Sequence, residues 1–222
     1  MTYELVSFEL CPYVQRARLI MLSREIAHSV TYIDLVDPPP WFFDSSPLGQ
    51  VPLLRMGDDD ALFESLAICE FLNEVHDCAI WSEDPRQRAE ERAIVGVSNA
   101  CLSDLNQALS SNERPGFARA REALEDKWDW LDTVLDERSG PLFGGDRISM
   151  PDAAFAAIAL QLGVVNDKLQ LLDEDDAANV ASWFEALRND AVVQQSVVEN
   201  YADLLMQSVL RRQSHAASVL NS

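Results

Sequence analysis

Cations are scarce in this chain. Lys and Arg number 17 against 37 Asp and Glu, a formal charge of −20, and so acidic a surface repels phosphate backbones and anionic lipid headgroups. Nucleic acid and membrane are therefore not expected as partners, and solubility accounts for the acidity. Histidine is scarce too: His28, His76 and His215 make up the whole set of 3, and none stands with a serine or aspartate in a local nucleophile motif. The cysteines Cys11, Cys69, Cys78 and Cys101 form no CxxC pair and have no Cys/His spacing suited to zinc. No metal site is expected, and reduced thiols in a reducing compartment are. No apolar stretch approaches the roughly 18 to 20 residues that cross a bilayer. The N-terminus lacks a basic segment followed by an apolar run and a small-residue cleavage site, so the expected location is the cytoplasm. The acidic runs "GDDDA" (57–61) and "DEDDAA" (173–178) lack the ligand alternation of a calcium loop and read as a solvated turn and loop.

A chain of 222 residues suits one large domain or two small ones, and the patterning favours two. Tyr3 to Phe8 fit a strand, and from Pro12 to about Arg24 the residues Val14, Ala17, Ile20 and Met21 recur near the spacing of a buried helical face. A second strand is expected over Ser29 to Leu35, after which "DPPPW" (37–41) breaks regular structure. "VPLLRM" (51–56) and "ALF" (61–63) flank the acidic turn as a hairpin, and "ESLAICEFLNEV" (64–75) begins another helix. The order is β-α-β, loop, β-β-α. Beyond a linker at 81–86 the pattern becomes helical throughout, clearest at 119–135, where Ala120, Leu124, Trp128, Leu131 and Leu135 share a face. These aromatics are expected in a core. In "ISMPDAAFAAIALQL" (148–162), Ser149 and Asp152 have the spacing of a capping box. The tail after Arg211 is polar enough to fray. The expected domains are 1–80, α/β, and 87–222, all-α.

Cys11 stands out because Pro12 suits the first position of a helix, which places the cysteine at the helix start. Free backbone N–H groups and the helix dipole there stabilise a thiolate and lower its pKa. A lone cysteine is more commonly a small buried hydrophobe, and the Cys-Pro pair alone leaves both roles open.

"CPYVQRAR" after a first strand, "SPLGQVPLL" (46–54), "LFESLAICEFL" (62–72) and "SMPDAAFA" (149–156), in this order and spacing, resemble the cytosolic glutathione transferases along nearly the whole chain. The closest likeness is to the omega-like and bacterial cysteine-type branch, which carries Cys-Pro-[Phe/Tyr] at the nucleophile. The resemblance implies a thioredoxin-like N-terminal domain followed by an all-helical C-terminal domain, with glutathione as co-substrate, a small electrophilic or disulfide substrate, and a homodimer. It makes Cys11 the catalytic residue. It also implies that Val51, before a Pro52 compatible with a cis bond, pairs with the cysteinyl part of glutathione as an added strand. Ser65 and the amides of its helix would hold the γ-glutamyl carboxylate and Glu64 its ammonium, while Tyr13 would approach the glutathione sulfur. Arg16 and Arg18 could offset the acidic field near Cys11, although arginines on helix surfaces are common.

The chain departs from the family pattern at two places. Relatives often read Lys-Pro-x-Trp-Phe where this chain has "PPPWFF" (38–43), so Pro38 replaces a lysine that touches the glycine end of glutathione. Ser46 replaces the usual Asn before the Pro-x-Gly turn. Losing the lysine implies weaker glutathione binding, or a pocket suited to a different thiol. Val14 leaves no resolving cysteine in a CxxC position, which implies a monothiol cycle. The activity so implied is thiol transferase, deglutathionylase or dehydroascorbate-reductase-like, with Cys11 attacking a mixed disulfide and glutathione resolving the adduct. Conjugation of glutathione to small electrophiles is the second enzymatic reading. A binding or regulatory module of the same fold is the non-catalytic one.

Overall fold

The computed structural model describes residues 2–57 and 60–222, so Asp58 and Asp59 of the expected acidic turn lie outside the described residues. In chain order the elements are β1 (Tyr3–Ser7), α1 (Pro12–Ser23), β2 (His28–Tyr32), α2 (Pro40–Ser45), β3 (Leu53–Met56), β4 (Ala61–Phe63) and α3 (Ser65–His76). There follow α4 (Pro85–Ser110), α5 (Arg114–Asp136), α6 (Met150–Leu169), α7 (Ala178–Asn189), α8 (Ala191–Gln195), α9 (Tyr201–Leu210) and α10 (His215–Leu220). Two compact units result: Met1–Ile80 with Ala191–Glu199, and Trp81–Asp190 with Asn200–Ser222. The expected second domain ran unbroken over 87–222, whereas here Ala191–Glu199 returns to the first unit.

The first unit is a four-stranded sheet in the order β2-β1-β3-β4. β1 pairs in parallel with β2 and antiparallel with β3, and β3 pairs antiparallel with β4. Alternation along the strands sends neighbouring side chains to opposite faces. Val6 and its partner Leu53 form one face and cluster with Phe42 of α2. Leu5, Leu54 and Tyr3 form the other, where the Tyr3 hydroxyl lies 2.9 Å from His76 Nε2 and its ring meets Phe71 of α3 edge-on. Both faces are covered, so β1 reads as an apolar run with little polar alternation.

The short helix α2 differs from the expectation that three prolines exclude regular structure. Pro39 takes an extended conformation as N-cap and Pro40 occupies the first helical position, where a missing N–H costs nothing. β3 begins at Leu53, two residues later than expected, with Pro52 just before it; proline has no N–H to give a ladder.

In the second unit α6 is apolar around its circumference, and Met150 to Leu162 are all buried, the pattern of a helix surrounded by others. Trp128 is buried as expected, donating its indole N–H to the Leu171 carbonyl at 2.9 Å and meeting Phe184 edge-on. Asp152 does return a bond to the Ser149 N–H, at 2.9 Å, but it also accepts from the backbone N–H of Phe143 (2.7 Å) and Gly144 (3.1 Å) and from the Trp183 indole (2.8 Å). One buried carboxylate thus ties α6 to α7 and to the preceding loop. The tail does not fray: Ser214 caps α10, the His215 N–H donates to Ser111 at 2.8 Å, and Ala216 and Ala217 are buried.

Replacing Asp152 by alanine leaves the N–H groups of Phe143 and Trp183 without their acceptor in a dry interior. The expected loss is about 3 kcal/mol or more in urea unfolding, with Asp152→Asn intermediate; an unchanged midpoint for the alanine variant would contradict this role.

Candidate active site

Because β1 and β2 run in parallel while β3 is reversed, the ends of β1, β2 and β4 and the start of β3 all lie at one edge of the sheet. Cys11 after β1, Val51–Pro52 before β3 and Glu64–Ser65 after β4 are thereby brought to the same edge from distant parts of the sequence.

Cys11 is the N-cap of α1 with Pro12 behind it at the first helical position. The thiol is 7% exposed and donates to the Val51 carbonyl at 3.9 Å; the Val51–Pro52 peptide is cis. The expected lowering of the Cys11 pKa is not what the structure supports. Burial dominates and pushes the thiol up to about 11, while the backbone N–H groups of Val14 and Tyr13 and the charge of Arg16 pull the other way without prevailing. The helix start acts as anticipated, but desolvation of a thiolate costs more than it returns.

Ser65 opens α3 and is buried. It is not the cap, which is Glu64, an exposed residue at φ 71°, ψ 120° whose side chain makes no cap bond. A non-glycine residue in that region is rare, and such conformations concentrate where a backbone must present groups to a ligand. The Ser65 hydroxyl accepts from Arg16 Nη1 at 3.4 Å. Tyr13 is half-exposed, with the Arg16 guanidinium 5.7 Å from its ring centroid.

Arg16 was given little weight in the sequence, yet it is 1% exposed and links Tyr13, Ser65 and the field at Cys11. Its position four residues after Pro12, one turn from the helix start, was the available signal. A second contribution was not legible at all: Gln15 donates to the Ser196 hydroxyl at 2.9 Å and Arg18 to the Ser196 carbonyl at 3.3 Å, so the returning segment braces α1. The Ser46 hydroxyl accepts from Gln50 N–H at 3.0 Å and donates to the Gln50 carbonyl at 2.8 Å, closing the loop that leads into Val51.

A sheet of this topology with a cysteine at the first helix start, a cis X-Pro before β3 and a helix opening after β4 is the layout of a thioredoxin-like domain. Residues 10–75 match the family model for the glutathione S-transferase N-terminal domain and residues 114–186 that for the C-terminal domain. The chain is 37% identical over 83 residues to a probable glutathione transferase of Aplysia californica, covering 37% of this chain and 89% of that protein. It is 30% identical over 147 residues to glutathione S-transferase omega-1 of Mus musculus, covering 66% of this chain and 61% of that one. Among solved structures, glutathione transferase Omega 3C from Trametes versicolor superposes with a TM-score of 0.78 at 24% identity, over 94% of this chain and 90% of that one. The chain belongs to the glutathione S-transferase family, and its likeness within it is to the omega class. It spans 60–61% of the length of the omega-class relatives it matches.

With the other thiols replaced by alanine, alkylation of Cys11 by iodoacetamide in the ligand-free protein is expected to rise with pH toward a midpoint of about 11. A midpoint at or below the ordinary thiol value of about 8.5 would show that the helix start and Arg16 outweigh burial.

Proposed function

We propose that this chain is a cysteine-dependent, glutathione-using thiol transferase of the cytoplasm, acting as a homodimer, with Cys11 as nucleophile and Tyr13, Val51, Pro52, Glu64 and Ser65 as the glutathione cradle. The observation that carries this reading is the contact between Cys11 Sγ and the Val51 carbonyl, on the edge of the sheet where Glu64 and Ser65 open α3. Membership of the family supports it.

The cycle follows from the groups present. A Cys11 thiolate attacks the glutathionyl sulfur of a mixed disulfide, forming Cys11–S–S–glutathione and releasing the substrate as its thiolate, which takes up a proton. A second glutathione thiolate attacks the glutathionyl sulfur, releasing Cys11 and glutathione disulfide. Two glutathionyl units leave as one disulfide, and the substrate is the species reduced. In the free protein the Val51 carbonyl accepts from the Cys11 thiol. The cysteinyl N–H of glutathione, pairing as an added strand, takes over that acceptor and leaves the sulfur to the N–H groups of Tyr13 and Val14 and to Arg16.

The burial that keeps Cys11 protonated favours a second reading. A neutral thiol at a helix start can donate to the thiolate of bound glutathione, which then attacks a small electrophile, and Cys11 remains unmodified.

The two readings part at Cys11→Ser. Thiol transfer requires sulfur, so Cys11→Ser and Cys11→Ala are both expected to lose at least about a hundredfold in glutathione-dependent disulfide reduction, while Cys69→Ala, Cys78→Ala and Cys101→Ala keep it. If conjugation is the reaction, Cys11→Ser retains activity toward an electrophile and only Cys11→Ala loses it. Reduction persisting in Cys11→Ala would sink the leading reading.

A further inference from the structure

On the cradle just proposed, the γ-glutamyl end lies at Ser65, the cysteinyl backbone at Val51 and the sulfur at Cys11. These positions follow β4, precede β3 and follow β1, and the sheet order continues to β2. The third residue of the peptide therefore extends toward the end of β2. A cleft of about 510 Å³ opens there, between the turn at Phe8, Glu9 and Leu10 and the strand end from Tyr32 to Leu35. Against about 30 Å³ for a water molecule, this is far more room than a glycyl residue fills.

The charged residues that line the cleft carry one sign. Glu9 and Asp34, both exposed, are the charged groups among its described lining residues. No lysine or arginine occurs in the sequence between Arg24 and Arg55, Pro38 stands in that run, and the first lysine of the chain is Lys127. The arginines of this unit are engaged elsewhere. Arg16 donates to Ser65, Arg24 to the Cys78 carbonyl at 2.6 Å, and Arg55 pairs with Glu4 at 2.7 Å while lying over Trp41. Arg18 comes nearest: its Nη1 is shared between the hydroxyl of Tyr32, at the cleft, at 2.9 Å and the Ser196 carbonyl, neutral partners that tether the guanidinium without cancelling its charge. On the lining itself a carboxylate meets two like charges and an ammonium two opposite ones, against the single cation of Arg18 bonded to Tyr32.

We propose that the thiol this site selects is a glutathione whose glycyl carboxylate is masked as an amide, preferentially an amide bearing a protonated amine, with Glu9 and Asp34 as the specificity-determining residues. The proposal rests on the cradle reading of Val51, Glu64 and Ser65. Glu9 and Asp34 take no part in the sulfur chemistry, so their neutral variants keep the cradle intact.

The test is calorimetric titration of the full chain with three probes: glutathione, its glycinamide form, and its 3-aminopropylamide. The aminopropylamide is expected to bind about tenfold more tightly than glutathione at low salt, with the glycinamide between, and the advantage to shrink as salt rises. In the double variant Glu9→Gln/Asp34→Asn the three should fall within about twofold of one another, and Pro38→Lys should move the preference toward glutathione. Glutathione binding as tightly as the amides overturns the inference while leaving the cradle standing, as does an amine preference that survives in the double variant. Failure of all three probes to bind overturns the cradle reading and the inference with it.

Discussion

Both edges of β1 are paired, in parallel with β2 and antiparallel with β3, and this one strand dictates which parts of the chain meet. Reversing β3 relative to β1 carries its N-terminal end to the place where β1 hands over to α1. The thiol of Cys11 and the carbonyl of Val51, forty positions apart, come into contact as a result. The hairpin to β4 then brings the start of α3 to the same edge. The strand can hold this position because both of its faces are buried, Val6 against Phe42 and Leu5 on the side of α3. A slip of one residue would exchange those faces.

The chemistry at that edge is a contest between two electrostatic effects of the same fold. A helix start favours negative charge, and Arg16 adds to it, yet the packing that positions Cys11 also removes the water a thiolate needs. Geometry and ionisation therefore pull in opposite directions in the free protein. The Val51 carbonyl, which accepts from the Cys11 thiol, is the group through which the loop before β3 touches this balance.

Local signals carried much of the fold. The alternation of strand and helix, the Cys-Pro step, and the Ser149–Asp152 spacing are all patterns within a few residues, and each has its counterpart in the structure. What escaped were features set by partners distant in sequence. Three consecutive prolines read as a break, but Pro39 and Pro40 sit at a helix start where proline is tolerated, and the apolar Phe42 behind them had a sheet face to cover. A polar tail read as loose is held through Ser111 and two buried alanines. Arg16 looked like one of many surface arginines until α3 covered it, and Asp152 looked like a local cap until the Trp183 indole reached it.

The residue types at the site and the class of domain they belong to were written in the sequence itself, because motif order and helix-start chemistry are local or need only spacing. The protonation of Cys11, the burial of Arg16, the bracing of α1 by Ser196 and the meeting of Glu9 and Asp34 at the cleft beside β2 were decided by the tertiary structure. The physical reason is common to all four. Desolvation and charge proximity depend on which surfaces are brought together, and that is settled only when β1 has both of its neighbours.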